Sequence, residues 1–190
     1  TTTSRRALLK ASALTGGGLL LHMSLPAAAA SQEKDNSKDK TDGEPLVKAK
    51  ELNVFVEITS DGEIIIYAPN PEMGQGIKTT LPMIVAEEMG AKWSDVRVEQ
   101  APVDSKRFGL QGSGGSMSVP RNFNPMRKLG ASAREMLIDA GAFAMEVDRK
   151  ELEARESMVV HSSGRSMSFG QLATLAAEQE IPDPESLTFK

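Results

Sequence analysis

Cysteine is absent from these 190 residues, and histidine occurs only twice, as His22 and His161. A disulfide framework, a thiolate zinc site and a cysteine-ligated iron–sulfur cluster are therefore excluded within the chain. Two histidines also count against a multi-histidine metal centre and against a Ser-His-Asp triad. Aromatic residues make up only 4%, so a core must be assembled from Leu, Ile, Val, Met and Ala. No Gly-x-x-x-x-Gly-Lys-Ser/Thr loop occurs, and Gly74-Gln75-Gly76 lacks the third glycine of a dinucleotide fingerprint, so P-loop and nicotinamide chemistry lose support. What remains is ordinary for a globular protein, with 39% hydrophobic and 25% charged residues. The length suits one domain with extra segments.

The first 30 residues have the layout of an export signal. Ser4-Arg5-Arg6 and Lys10 precede the apolar run from Ala11 to Leu25, and Pro26 with Ala27 to Ala30 supplies small residues suited to cleavage. The Ser-Arg-Arg-x-x-Leu-Lys core resembles a twin-arginine signal, with Leu8 where phenylalanine is usual. The run is short for a membrane span, although an uncleaved N-terminal anchor is the alternative. Residues 31–50 are dense in Lys, Asp, Glu, Ser and Asn, which predicts a disordered linker. Removing residues 1–30 takes Arg5, Arg6 and Lys10 from the 22 basic residues and none of the 26 acidic ones, so the formal charge moves from −4 to −7. Nucleic acid and anionic membrane surfaces are poor partners for such a chain.

From residue 51 the pattern is that of a folded domain. Asn53 to Ile58 and Glu63 to Ala68 read as two strands around a Ser60-Asp61-Gly62 turn, the second covered on both faces. Leu81, Ile84, Val85 and Met89 recur at helical spacing, with Pro82 placed in the first turn and Gly90 as the stop. Asp95 to Gln100 alternates as a half-buried strand. Ala101 to Phe123 reads as a long Gly/Ser-rich connection, functional or mobile. Asn124-Pro125 then predicts the start of a helix running to Val147. Arg155 to His161 and Ser166 to Ser168 suggest a hairpin, and Phe169 to Gln179 a last helix. The order β-β-α-β-α-β-β-α predicts an α+β, two-layer fold with helices packed on a small mixed sheet.

Two glycine-rich loops lead into helices: Pro71 to Gly76, and Gly109 to Ser118. Glycines free backbone N–H groups to approach a ligand, and a helix N-terminus carries about half a positive elementary charge. Lys78, Arg127 and Lys128 are expected near the two helix starts, where cations oppose the dipole by about 0.3–1 kcal/mol each unless an anion lies between. Ser113, Ser116 and Ser118 offer hydroxyls to phosphate oxygens, and Arg121 a charged donor. One phosphorylated cofactor held by both loops is the functional reading; a pair of solvated surface loops is the plain one. Glu72 suits a supporting contact beside the site. Of Glu87-Glu88, one is expected to be solvated, and His161 is expected to be exposed at a hairpin tip. Met73, Met83, Met89, Met126 and Met136 are read as core filler.

Asp61-Gly62, Pro71-Glu72-Met73-Gly74-Gln75-Gly76, Leu81-Pro82-Met83, Val85-Ala86-Glu87-Glu88, Val96 to Glu99, Gln111 to Ser116 and Ser118-Val119 follow one another in a register that resembles a known family. It is similar to the N-terminal region of the molybdenum-binding large subunit of the xanthine dehydrogenase and aldehyde oxidoreductase family. The branch in question contains isoquinoline 1-oxidoreductase and bacterial membrane-associated aldehyde dehydrogenases. Leu110, where glycine is common, and Pro120 depart from the pattern.

The resemblance implies that residues 51–190 are the N-terminal portion of a molybdopterin-binding domain, taking the cofactor as the cytosine dinucleotide. Gln75, flanked by Gly74 and Gly76, would bond near the molybdenum–pterin group. Ser116 and Ser118 would contact phosphate or pterin, with Gly112, Ser113, Gly114 and Gly115 completing the second loop. The molybdenum takes its ligands mainly from the pterin, so no protein metal ligand is expected. The family's catalytic glutamate lies in a Gly-x-Gly-Glu motif farther toward the C-terminus, beyond Lys190, leaving no catalytic residue in this chain. Implied partners are the remaining large-subunit domains, a small subunit carrying [2Fe-2S] clusters, and a c-type cytochrome as electron acceptor in the periplasm. The alternatives are a non-catalytic module that binds a molybdopterin or another phosphorylated ligand, and a truncated reading frame that folds poorly alone.

Overall fold

A computed structural model describes the backbone of residues 18–20 and the whole of residues 55–190. The twin-arginine motif, the cleavage region and the 31–50 linker lie outside the described residues.

Strand β2 (Val56–Thr59) and strand β3 (Ile64–Ala68) form the expected hairpin. Its turn closes through the Gly62 N–H on the Thr59 carbonyl, with Gly62 at φ 97°. The short strand β1 (Gly18–Leu20), inside the segment read as a leader, pairs antiparallel with β2. Strand β4 (Val96–Gln100) lies parallel to β3, so the sheet runs β1-β2-β3-β4 with one parallel pair. The crossover between the parallel strands is helix α1 (Ile77–Met89). Ile64, Ile65, Ile66 and Ala68 of β3 are buried, which is why that strand has no polar alternation.

A short helix, α2 (Ser105–Phe108), follows β4, and helix α3 (Ser118–Met145) spans 28 residues. A second sheet, β5 (Leu152–Arg155), β6 (Met158–His161) and β7 (Ser166–Ser168), is antiparallel throughout. Helix α4 (Phe169–Ala177) closes the order, its N-terminus held by a Ser168–Gln171 capping box. The chain is α+β, as its pattern predicts. The sequence pattern missed β5 because the β5–β6 turn uses Glu156 and Ser157 at φ 49° and 58° in place of the usual Asn or Gly.

The core joins Val56, Ile58, Ile64 and Ile66 of the sheet to Leu81, Val85 and Met89 of α1. Met126, Leu129, Ala133, Met136 and Leu137 of α3 and Phe169 and Leu172 of α4 complete it. Helices α1 and α3 approach closely at Gly130, where a Cβ would stand 2.4 Å from the Val85 carbonyl oxygen. Met89, Met126 and Met136 are core residues as expected, but Met73 and Met83 are exposed at 69% and 51%. Met73 sits on a loop tip, and Met83 faces away from the buried Leu81–Val85–Met89 stripe.

Two helix starts differ from expectation. Helix α1 begins at Ile77, so Pro82 lies inside it and not in its first turn. Helix α3 begins at Ser118, six residues before the predicted Asn124 cap, and absorbs the end of the predicted loop. Pro120 falls in its first turn, where the missing N–H has no partner to lose, whereas Pro125 is interior.

Candidate functional site

The site candidates gather where the parallel strands end. Loop 1 (residues 69–76) leaves the carboxyl end of β3, and loop 2 (residues 109–117) follows β4 by way of α2. Parallel strands with a helical crossover place their carboxyl ends side by side, and ligands of such sheets bind outside those ends.

Loop 1 is a closed structure with the Glu72 carboxylate at its centre. Oε1 of Glu72 accepts the N–H groups of Gly74 at 2.6 Å and Gly76 at 2.9 Å, and Oε2 accepts that of Lys78 at 3.1 Å. The first turn of α1 therefore already has its anion. The hydrogen bonds from Gly76 and then Lys78 hold the Glu72 carboxyl below the usual range of a glutamate. This corrects the reading of loop 1 as a phosphate cradle: the N–H groups that glycine frees there are spent on a side chain of the same loop. Gly74 and Gly76, at φ 96° and 81°, make the turn possible.

Gln75 is oriented by the same loop. Its Oε1 accepts the Met73 N–H at 2.6 Å, while Nε2 donates to the Pro71 carbonyl at 3.1 Å and reaches Ser113 Oγ at 3.5 Å. Ser113 Oγ also donates to the Pro71 carbonyl at 3.0 Å and lies 3.4 Å from Ser118 Oγ. Gln75, from the first loop stretch, thus meets Ser113 and Ser118, from the second, in one hydrogen-bonded group. Ser116 sits beside them in the chain at φ 57°, a left-handed conformation uncommon for a residue with a Cβ.

Loop 2 is anchored and not free. Phe108, the last residue of α2, is buried against Phe55 with ring centroids 5.2 Å apart and an interplanar angle of 72°. Gln111 closes the following turn by accepting the Asp104 N–H and donating to the Pro102 carbonyl, each at 2.8 Å. A Cβ added at Gly112 or Gly114 would meet nothing within 4 Å, so the loop faces open space. The α3 N-terminus beyond it has no side-chain cap and no acidic residue in its first turn. Anion attraction is therefore available at α3, where α1 has satisfied it internally.

Arg127 and Lys128, expected to sit at that helix start, do not. With α3 beginning at Ser118 they lie more than two turns along it, beyond the reach of the terminal dipole. Arg127 bonds Glu88 at 2.5 Å and the Lys190 carbonyl at 2.8 Å, and Lys128 bonds Glu185 at 2.8 Å. Their cationic charge is used within the fold. Arg121 is the basic residue that falls in the first turns of α3.

Other sequence candidates resolve differently. Glu87 is exposed as one of the pair was expected to be, and Glu88 is buried at 3% exposure between Arg127 and Arg134. The His161 side chain is 10% exposed, not solvated, because Glu151 binds Nε2 at 2.8 Å and Ser163 binds Nδ1 at 2.7 Å. Among the described residues no group of three or more His, Cys, Asp or Glu is arranged to hold a metal ion. Sequence reading missed Asn70 and Asn122, both buried and both bonded into the loops. An asparagine ahead of Pro71 was visible as a turn residue, but nothing in the sequence paired it with Asn122.

A parallel strand pair whose two exits carry glycine loops, one closed on its own Glu72 and Gln75 and the other leading to an uncapped helix terminus, is a setting in which sheets of this kind take a ligand. A sequence model described as "Molybdopterin cofactor-binding domain" matches residues 25–189, and the chain belongs to that family. Over 167 residues it is 34% identical to isoquinoline 1-oxidoreductase subunit beta of Brevundimonas diminuta, covering 84% of this chain and 20% of that protein. Over 139 residues it is 33% identical to a membrane-bound aldehyde dehydrogenase (pyrroloquinoline-quinone) of Gluconacetobacter polyoxogenes, covering 73% of this chain and 18% of that one. Reconstituted CO dehydrogenase from Oligotropha carboxidovorans shares the fold with TM-score 0.52 at 24% identity, over 62% of this chain and 15% of the other. The chain spans about a fifth of the length of the curated relatives it matches.

Proposed function

We propose that this chain supplies the cofactor-positioning loops of an exported molybdenum hydroxylase that oxidises aldehydes or N-heterocycles. The bound form is molybdopterin cytosine dinucleotide, which supplies the redox centre. The division of labour follows the geometry. Loop 2, with the Ser113, Ser116 and Ser118 hydroxyls, the Gly112, Gly114 and Gly115 backbone and the uncapped α3 terminus, takes the negatively charged portion. Loop 1 contributes the Gln75 amide, aimed by its bonds to Met73 and Pro71. The proton-accepting glutamate comes from a segment outside this chain, and [2Fe-2S] clusters on a small subunit carry electrons on to a c-type cytochrome. The leader directs the folded protein to the periplasm by the twin-arginine route.

The observation that carries this reading is the meeting of Gln75 with Ser113 and of Ser113 with Ser118 at the exits of a parallel pair. The residues fit the group: open space at Gly112 and Gly114 leaves room for it, and the α3 terminus lacks any built-in anion. The test is molybdenum analysis with nucleotide release by acid on the assembled enzyme, wild type against Gln75→Ala and Ser113→Ala. We expect molybdenum and cytidine nucleotide in the wild type, and a loss of about 10–100-fold in occupancy or turnover in the variants. Full occupancy and turnover in Gln75→Ala would refute the assignment. A pyrroloquinoline quinone in place of the pterin would release neither molybdenum nor nucleotide. Occupancy without turnover in the complete wild-type protein would instead favour a non-catalytic binding module.

A further inference from the structure

Asn70 and Asn122 are 2% and 6% exposed, and the carboxamide of each reaches a partner outside its own element. Burying an amide is costly unless its donors and acceptor are matched. Here the matching runs as a directional relay. Asn122 spends one Nδ2 hydrogen on the Ser118 carbonyl at 2.8 Å and the other on Asn70 Oδ1 at 3.1 Å. Asn70 then donates from Nδ2 to the Gly112 carbonyl at 2.7 Å. Because Asn70 Oδ1 faces a donor and its Nδ2 faces a carbonyl, turning the amide over would set oxygen against oxygen.

The placement of the relay matters more than its energy. Asn70 stands just past the end of β3 and is followed by Pro71, whose carbonyl receives Gln75 Nε2 and Ser113 Oγ. Asn122 lies in the second turn of α3, and Gly112 in the middle of loop 2. One buried carboxamide therefore joins the root of loop 1, the middle of loop 2 and the start of α3. The Gln75 bonds act within loop 1 apart from the 3.5 Å contact to Ser113, Glu72 ties loop 1 to the first turn of α1, and the other link between the loops, from Ser113 Oγ to the Pro71 carbonyl, is exposed. The relay is the buried connection between the loops.

We propose that Asn70 and Asn122 are positioning residues that set the register of loop 2 and α3 against loop 1. Neither contacts the cofactor in this scheme; they act through Gly112, Ser113 and Ser118. The consequence for cofactor binding rests on the function proposed above, whereas the consequence for loop order does not.

Hydrogen exchange of the intact purified protein tests this, comparing the peptide 105–117 with core peptides of β3 and α1. Asn70→Asp keeps the acceptor for Asn122 but turns a carboxylate oxygen toward the Gly112 carbonyl. Asn122→Ala removes the other arm, and Asn70→Leu keeps volume without polarity. We expect exchange in 105–117 to quicken about tenfold in each, as loss of one buried hydrogen bond does to a local opening equilibrium, with core peptides unchanged. The double variant Asn70→Asp/Asn122→Ala should show less than the sum of the single effects, since the two residues act in series. Unchanged exchange in 105–117 would overturn the proposal. So would uniform quickening across the whole chain, or full protection in Asn70→Leu, because either makes the pair ordinary core. Should Asn70→Asp fail to fold, Asn122→Ala decides the matter by the same reading. Local quickening with molybdenum and nucleotide fully retained would uphold the positioning of loop 2 and refute its consequence for cofactor binding, whereas local quickening in a protein whose wild type holds neither molybdenum nor nucleotide would refute the cofactor reading alone.

Discussion

Glu72 shows how a single carboxylate decides what a loop can do. Its bonds to Gly74, Gly76 and Lys78 require the ionised form, and they lower its pKa from the ordinary 4.5. A lowered folded-state pKa means the contribution is complete above that ordinary value and is lost as pH falls through the folded one. The Gly76 and Lys78 amides should therefore lose protection on acidification below about pH 4.5. In Glu72→Gln the same amides should be less protected at neutral pH and show no such acid transition; amide NMR against pH reads both effects. A transition that survives in Glu72→Gln would transfer the effect to another group. The sequence made Glu72 and Gln75 legible as loop residues beside a helix start. It did not reveal that Glu72 would occupy the terminus, because this depends on glycine dihedrals at residues 74 and 76 that turn the backbone N–H groups inward.

Among the elements, α3 departs furthest from its local signals. Asn124-Pro125 is a strong start signal, and the helix runs through it from Ser118. Tertiary contacts account for this: Asn122 is tied to Asn70, Met126 and Leu129 are buried, and Gly130 lets α1 come close. The same helix corrects the charge argument, since Arg127 and Lys128 answer Glu88 and Glu185 and not a ligand. Strands β2, β3, β4, β6 and β7, by contrast, were legible from hydrophobic pattern and turn chemistry, whereas β1 and β5 were not. The β3–β4 parallel pairing was not, because it depends on the crossover and not on either strand. Replacing Gly130 by alanine tests the close approach. Alanine would favour the helix by about 1 kcal/mol, but a Cβ 2.4 Å from the Val85 carbonyl oxygen meets backbone that cannot move alone. Overpacking costs about 1–3 kcal/mol and prevails. Chemical denaturation should show a net destabilisation of about 1 kcal/mol; a stabilised Gly130→Ala would mean that the helices part freely.

At the scale of the whole molecule, Glu88 ties distant parts of the chain together. It receives Arg127, Arg134 and, through Oε2, the Lys190 N–H at 3.0 Å. Arg134 also reaches the Thr188 carbonyl, and Arg127 lies over the Phe189 ring at 4.5 Å. Residues 185–190 are thereby strapped across α1 and α3. Glu88→Ala leaves two guanidiniums without their shared carboxylate, one with a side chain only 9% exposed. Breaking such a buried pair costs about 3–5 kcal/mol, and the low end applies here because Arg134 keeps Glu135 and two carbonyl partners. Thermal melting should fall accordingly, and limited proteolysis should cut first within residues 185–190. A variant as stable as wild type would show the strap to be superficial.

The parallel pairing of β3 and β4 also gives the molecule two unlike poles. Asp61 and Gly62 turn at the amino end of β3, a strand of five residues, and so lie roughly 17 Å along the sheet from where both loops depart. A fluorophore or surface anchor attached at Asp61 would hold or report on the protein from its far pole, leaving the loops facing solution and ready to be filled.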